Sequence, residues 1–326
     1  MRTSVVLCSL LLSCSPHPAG SRSDAAPATG PELFGAGLFT TGAWDFFLAF
    51  SPEQRWALFC RANDDFTAYD IYQTRLGADG HWSAPTRPTF AREWSNADPH
   101  LTADGRTVFF ISNRPLPGER TAHATYDIWT ATLGPDGAWS EATPLPRSIS
   151  LPESDEWSPS VAANGDLYFG SDRAGTRGGL DLWVARRTGD GYAQPENLGD
   201  SINTAGHEVE PWIAPDQSYL IFSARGRSDS IGGYDLYLSR RSGGVWQRAA
   251  LLQDGVSSPA LDFNQSVSPD GRWLYWSSTR SASSPIGPRF DLPQNDSNIA
   301  GIGNGKGDIY RIALRELGLG PGTQSP

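Results

Sequence analysis

The chain has 326 residues, with 12 Trp, 35 Gly and 25 Pro against a single Met, and a formal net charge of -10. The Gly and Pro content excludes a protein built on long helices and favours short strands joined by tight turns. The acidic balance excludes nucleic-acid binding by phosphate neutralisation, and the length is ample for a large buried core.

In chain order, Arg2 precedes an apolar run from Val5 to Leu12, which is too short to span a bilayer and has the form of a secretory segment. Leu11-Leu12-Ser13-Cys14 resembles a bacterial lipobox. That resemblance implies a lipoprotein-type signal peptide over 1–13, lipidation of Cys14, and, with Ser15 next, sorting to the periplasmic face of the outer membrane. The alternative is an ordinary cleaved signal peptide. Residues 14–31 are rich in Ser, Pro, Ala and Gly and read as a flexible tether, followed by a patterned domain over 32–317 and a disordered tail over 318–326. With Cys8 removed and Cys14 lipidated, Cys60 in ALFC is expected to be a small buried apolar side chain.

The domain repeats itself. SPEQRWALF (51–59), TADGRTVFF (102–110), AANGDLYFG (162–170), APDQSYLIF (214–222) and SPDGRWLYW (268–276) each read as a turn followed by an apolar strand. In Ser-Pro-Asp-Gly, Pro suits the first central turn position, Asp tolerates the second, and Gly supplies the positive φ that closes a hairpin with a bulge. The strand ends in Ser112-Asn113-Arg114, Ser171-Asp172-Arg173, Ser223-Ala224-Arg225 and Ser278-Thr279-Arg280, with Arg61-Ala62-Asn63 in the first copy. A third strand opens on Asp70-Ile71-Tyr72, Asp127-Ile128-Trp129, Asp181-Leu182-Trp183, Asp235-Leu236-Tyr237 and Asp308-Ile309-Tyr310. A fourth is expected at HWSAP, AWSEA, GYAQP and VWQRA, beginning at His81, Ala138, Gly191 and Val245, and is missing from the last copy. Four strands in a period of about 50 to 60 residues predict an all-β fold, a five-bladed β-propeller of four-stranded blades. An N-terminal strand around Leu38 to Thr40 is expected to complete the last blade.

The S-P-D-G, S-x-R and D-I-Y markers, with segments such as NLGDSINTAGHEVEPWIAPDQSYLIFSAR (197–225), resemble the WD-like repeats of the TolB-type propeller family across Leu33 to Leu317. The resemblance implies an exported bacterial protein, commonly a lipoprotein, that serves as a binding platform.

The recurring Arg and Asp read first as structure: Arg114 with Asp127, Arg173 with Asp181, Arg225 with Asp235 and Arg280 with Asp308 are expected to pair within each blade. The innermost strands read DFFLAF, NADPHL, EWSPSV, EVEPWI and DFNQSV, and alternation predicts that their first, third and fifth residues share a face. The residues that break the repeat, Asp98, His100, Glu210 and Trp212, are therefore the candidates for a specific ligand contact. Two loops exceed what a blade needs, Ser281 to Lys306 and Pro115 to Thr125, and both should project from one face, the expected partner surface. The expected function is non-catalytic binding of a periplasmic or outer-membrane protein or a cell-envelope glycan, with membrane attachment only through the lipid. The alternative is a glycan-binding or glycoside hydrolase-like propeller using Asp45, Asp98, Glu156 and Glu210. The five His residues are scattered, no HExxH, G-x-S-x-G or phosphate-cradling pattern occurs, and no metal or other cofactor is expected.

Overall fold

The computed structural model describes residues 30–281 and 301–321. Cys14, the 1–13 segment, residues 14–29 of the tether and residues 282–300 of the long insertion lie outside the described residues.

Five antiparallel sheets follow one another around a central channel. The first blade comprises Trp44–Phe50, Trp56–Ala62 and Tyr69–Arg75, with a single bridge from Gln73 to Thr86 as its outer edge. The second comprises Asn96–Leu101, Thr107–Ser112, Asp127–Thr132 and Thr143–Pro144, and the third Glu156–Val161, Leu167–Ser171, Asp181–Ala185 and Glu196–Asn197. The fourth runs His207–Ile213, Tyr219–Arg225, Asp235–Ser242 and Ala250–Leu251, and the fifth Asp262–Val267, Trp273–Ser278 and Asp308–Ala313, with Glu32–Leu33 outermost. The chain is thus a five-bladed propeller whose ring is closed by joining its two ends.

The repeated turns set the hairpins. In each, the fourth residue donates its N–H to the first carbonyl at 2.7–2.8 Å (Gln54 to Ser51, Gly105 to Thr102, Gly165 to Ala162, Gln217 to Ala214, Gly271 to Ser268). That fourth residue has φ between 52° and 88°, so Gln54 and Gln217 hold a conformation the other copies give to Gly.

The closing strand lies earlier than the sequence suggests. Leu33 pairs with Tyr310 and Glu32 with Arg311, whose guanidinium meets the Glu32 carboxylate at 2.5 Å. Leu33 buries against Leu236, Trp276 and Tyr310. Leu38 to Thr40 form a tight turn instead, their three N–H groups converging on the Gly35 carbonyl at 2.8–3.1 Å. Phe39 is thereby driven beneath the first blade against Phe59 and Trp82. At the other end Leu319 is buried in the same cluster as Leu33, so packed structure continues past Leu317.

The segments expected as fourth strands are also displaced. Trp82, Trp139 and Trp246 sit in small hairpins at the ends of the third strands, and edge pairing begins several residues later. Burial of the indoles explains the shift: Trp139 packs on Trp56 of the preceding blade and on Phe90, which pulls the chain inward before it can run along the edge.

The expected Arg–Asp pairs do not form. Across the ladder Asp127, Asp181 and Asp308 face Ser112, Ser171 and Ser278, not the arginines. Each of those Ser hydroxyls accepts from the Nε of the Arg two residues on, turning the guanidinium inward. There it meets the first residue of the inner strand: Arg173 with Glu156 at 2.9 Å, Arg280 with Asp262 at 2.6 Å, Arg114 with the Asn96 side chain at 2.6 Å, and in the first blade Arg61 with Asp45 at 2.6 Å. In the fourth blade Arg227 performs this role on Glu208 at 3.1 Å, while Arg225 lies exposed beside His207. Every clamp also donates to a carbonyl of the loop leading into the blade (Leu38, Phe90, Ile149, Ile202 or Val256) and stacks on an aromatic ring. The marker aspartates secure their own loops: Asp181, Asp235 and Asp308 accept the N–H groups of Arg177, Ile231 and Gly303 at 2.8 Å, and Asp127 faces His123 and Arg147. Cys60 is buried and unpaired.

Candidate functional site: an aromatic funnel at one mouth of the channel

Each inner strand carries a bulge at the same place. Phe47, Asp98, Ser158, Glu210 and Asn264, the third residue of each copy, have φ of 50°, 55°, 49°, 56° and 51°, and the pairing register slips there in all five blades. A left-handed non-Gly residue costs about 1–3 kcal/mol and persists only where its surroundings over-determine it. Here bonds between blades supply the determination. Ser158 Oγ donates to Asp98 at 2.6 Å and the Val161 N–H to His100 Nε2 at 3.0 Å; the Ile213 N–H donates to Ser160, the Asn264 N–H to Glu210 at 2.6 Å, and Ser266 Oγ to the Leu48 carbonyl. These join blades two to three, three to four, four to five and five to one.

The bulge overturns simple alternation. The first residues, Asp45, Glu156, Glu208 and Asp262, are fully buried in their arginine clamps. It is the second residue, Trp157, Val209 or Phe263, that faces the mouth, together with the bulged Ser158 and Glu210. A second set of wall residues comes from the position just before the Asp-Ile-Tyr marker. The carbonyls of Tyr126, Leu180 and Tyr234 accept, at 2.9 Å, the N–H of the first inner-strand residue of the next blade, and the Tyr69 N–H donates to Ser95 Oγ. These bonds pin the residues to the rim.

The result is a cavity of about 510 Å³. Phe263, Phe66, Tyr69, Tyr126 and Trp157 form a continuous arc of rings with successive centroids 5.0–6.4 Å apart, running from the fifth blade to the third. Trp44 packs edge-on to Phe66 at 4.9 Å, and Tyr234 and Leu261 close the remaining side. Ser158 and Glu210 lie toward the channel and Asp155 toward the rim.

The four residues singled out for breaking the repeat do not meet at one site. Glu210 lines the funnel; Asp98 lies buried beside Ser158 inside the channel; His100 and Trp212 line a cavity at the opposite mouth, of about 210 Å³, with Tyr219 and prolines of the hairpin turns. Of the carboxylates in the hydrolase alternative, Asp45 and Glu156 are held in clamps, and only Asp98 and Glu210 are free of cationic partners among the described ion pairs. Burial pushes the Asp98 carboxyl up to about 6. Burial, with the Asp98 charge adding to it, pushes Glu210 up to about 7. Burial lowers His100 to about 4, keeping it neutral, with Nε2 accepting from Val161. Among the described residues no group of three or more His, Cys, Asp or Glu is placed to hold a metal ion.

The funnel walls were missed in the sequence although their letters recur. Trp157 and Phe263 sit one residue after the inner-strand acid, and Tyr69, Tyr126 and Tyr234 one residue before the marker Asp. Aromatic residues at repeat positions pointing neither into blade ladders nor between blades were the available signal.

No protein-family model matches the chain, and no curated protein matches it. Solved structures do. A glycoside hydrolase is similar with a TM-score of 0.50 and 10% identity, over 82% of this chain and 96% of its own. A protein from Agrobacterium tumefaciens assigned as TolB has a TM-score of 0.40 and 15% identity over 83% and 90%, and an alpha-L-arabinofuranosidase from Lactobacillus brevis 0.45 and 9% over 86% and 92%. At 10% identity the likeness to the first of these bears on the fold alone.

Proposed function

We propose that the protein is a non-catalytic binding platform of the TolB-like kind, exported as a lipoprotein through Cys14 and engaging a periplasmic or outer-membrane protein with its funnel face. The observation that carries this reading is the fate of the carboxylates. Those repeated around the ring are consumed by arginine clamps and loop N–H groups, while the open concavity is walled by aromatic rings, which are favoured anchors of protein contacts. The Pro115 to Thr125 loop, between the second and third strands of its blade, leaves from this same face. Capture of partners from an envelope extract tests the reading, comparing the full chain with Trp157→Ala and with a chain shortened between Ser281 and Lys306. A protein retained by the wild type and lost from either variant supports it; identical retention by all three refutes it.

A second reading, a glycan-binding or glycan-active propeller, draws on Asp98 and Glu210, two carboxyls with raised pKa near aromatic walls. Glycan binding or turnover that survives loop shortening and disappears in Asp98→Ala and Glu210→Ala would favour it over the protein platform.

A further inference from the structure

We propose that the funnel seats one basic side chain, a lysine ammonium or an arginine guanidinium presented by a polypeptide partner. The inference rests on the protein-binding reading above and adds the chemistry of the group received. Three features of the cavity select that chemistry. Its walls are aromatic rings, and the face of such a ring attracts a cation placed over it. The charged side chains of its lining are two carboxyls, Asp155 and Glu210, and it contains no Lys, Arg or His. An ammonium or guanidinium brings only donors and positive charge, which the two carboxyls are suited to accept.

Two cationic side chains of this end have partners of their own. Arg225 lies against the Tyr234 ring with its guanidinium on His207, and Lys306 reaches Asp64 at 2.5 Å. The volume of about 510 Å³ admits a long side chain with part of its backbone. Glu210 is also placed to respond. One of its oxygens accepts the Asn264 N–H, and the negative charge of Asp98 lies close enough to disfavour its ionisation. A bound cation relieves that repulsion.

The test is calorimetric titration of the full chain with capped Gly-Gly-X-Gly-Gly peptides, X being Lys or Arg, against the uncharged norleucine and citrulline counterparts. The expected result is at least tenfold tighter binding of each basic peptide than of its neutral counterpart. Glu210→Gln should reduce that ratio to about one, and Glu210→Asp should restore part of it. Should Glu210→Gln fail to fold, competition of the lysine peptide from the wild type by tetramethylammonium chloride, against equimolar sodium chloride, gives the same decision. Equal affinity for basic and neutral peptides, a preference that survives Glu210→Gln, or no competition by tetramethylammonium overturns the cation assignment and leaves the protein-platform reading standing. Failure of every peptide together with binding of neutral oligosaccharides overturns both.

Discussion

Arg173 and Arg225 occupy the same place in the repeat, yet they should respond oppositely to removal. Arg173→Ala strips the guanidinium from the buried Glu156 and from the Ile149 carbonyl, leaving a carboxylate without its counter-charge, which costs about 3–5 kcal/mol. Arg225→Ala removes an exposed stack on Tyr234 and should cost less than about 1 kcal/mol. Urea unfolding of the two variants and of Arg227→Ala decides the matter: similar costs at 173 and 227 with little at 225 confirm the clamp, and a large cost at 225 refutes it. Glu210 offers a prediction in pH. Its carboxyl titrates near 7 in the fold, above the ordinary glutamic acid of an unfolded chain, so ionising it costs the folded state more than the unfolded. The stability it supports is fully present below about pH 4.5 and is lost as pH rises through about 7. The groups acting on it are Asp98, the Asn264 N–H and the Ser223 hydroxyl, with Tyr234 beside it and Arg225 behind Tyr234, and Asp155 and Tyr69 share its cavity. Glu210→Gln, which mimics the neutral acid, should therefore match the wild-type melting temperature near pH 4 and exceed it progressively up to pH 8; parallel curves would contradict the raised ionisation.

At the scale of the strand, the bulge inverts a familiar ranking. Ala is ordinarily preferred to Gly in regular structure, but Ser158 has φ of 49°, where a Cβ is penalised. Ser158→Ala and Ser158→Gly both lose the hydrogen bond to Asp98, and only the glycine variant also sheds the backbone strain. Ser158→Gly should accordingly be the more stable of the two by about 1 kcal/mol. A melting comparison showing alanine ahead would mean that the ring of left-handed residues is not strained. The same feature explains what the sequence concealed. Turns, apolar strands and markers were legible because their chemistry is local: Pro and Gly in the hairpin, period-two apolar runs, an Asp that caps its own loop. The bulge is set by hydrogen bonds between different blades, such as Asn264 to Glu210, and no pattern within one strand announces it. Alternation then misassigned which side of the inner strand faces the mouth. Asp45 and Glu156 fell into the candidate site, Trp157 and Phe263 fell out, and His100 and Trp212 were grouped with residues at the opposite end.

For the whole molecule, the number of blades and their closure by an N-terminal strand were readable from the repeat, but the place of that strand was not, because two residues suffice to make it. Glu32 and Leu33 pair with the outer side of Asp308–Ala313, and they do so because one offers a carboxylate to Arg311 while the other is buried in the cluster that includes Leu236, Trp276 and Tyr310. A ring of blades depends on such a seam more than on any interior contact, since without it the last blade presents an open strand edge. Leu33→Ala should cost about 2–5 kcal/mol, as for a buried leucine elsewhere. Removal of residues up to Phe34 should do something different in kind. The Asp308–Ala313 edge would lose its partner strand and the Ile309 carbonyl its bond from the Phe34 N–H. The freed edge can then pair with its counterpart in a second molecule. Light scattering behind size-exclusion chromatography should therefore show self-association of the truncated chain that grows with concentration, while Leu33→Ala stays monomeric and merely melts earlier. A truncated chain that remains monomeric and melts like the wild type would show that the closing strand is dispensable and that the inter-blade bonds at the channel alone hold the ring.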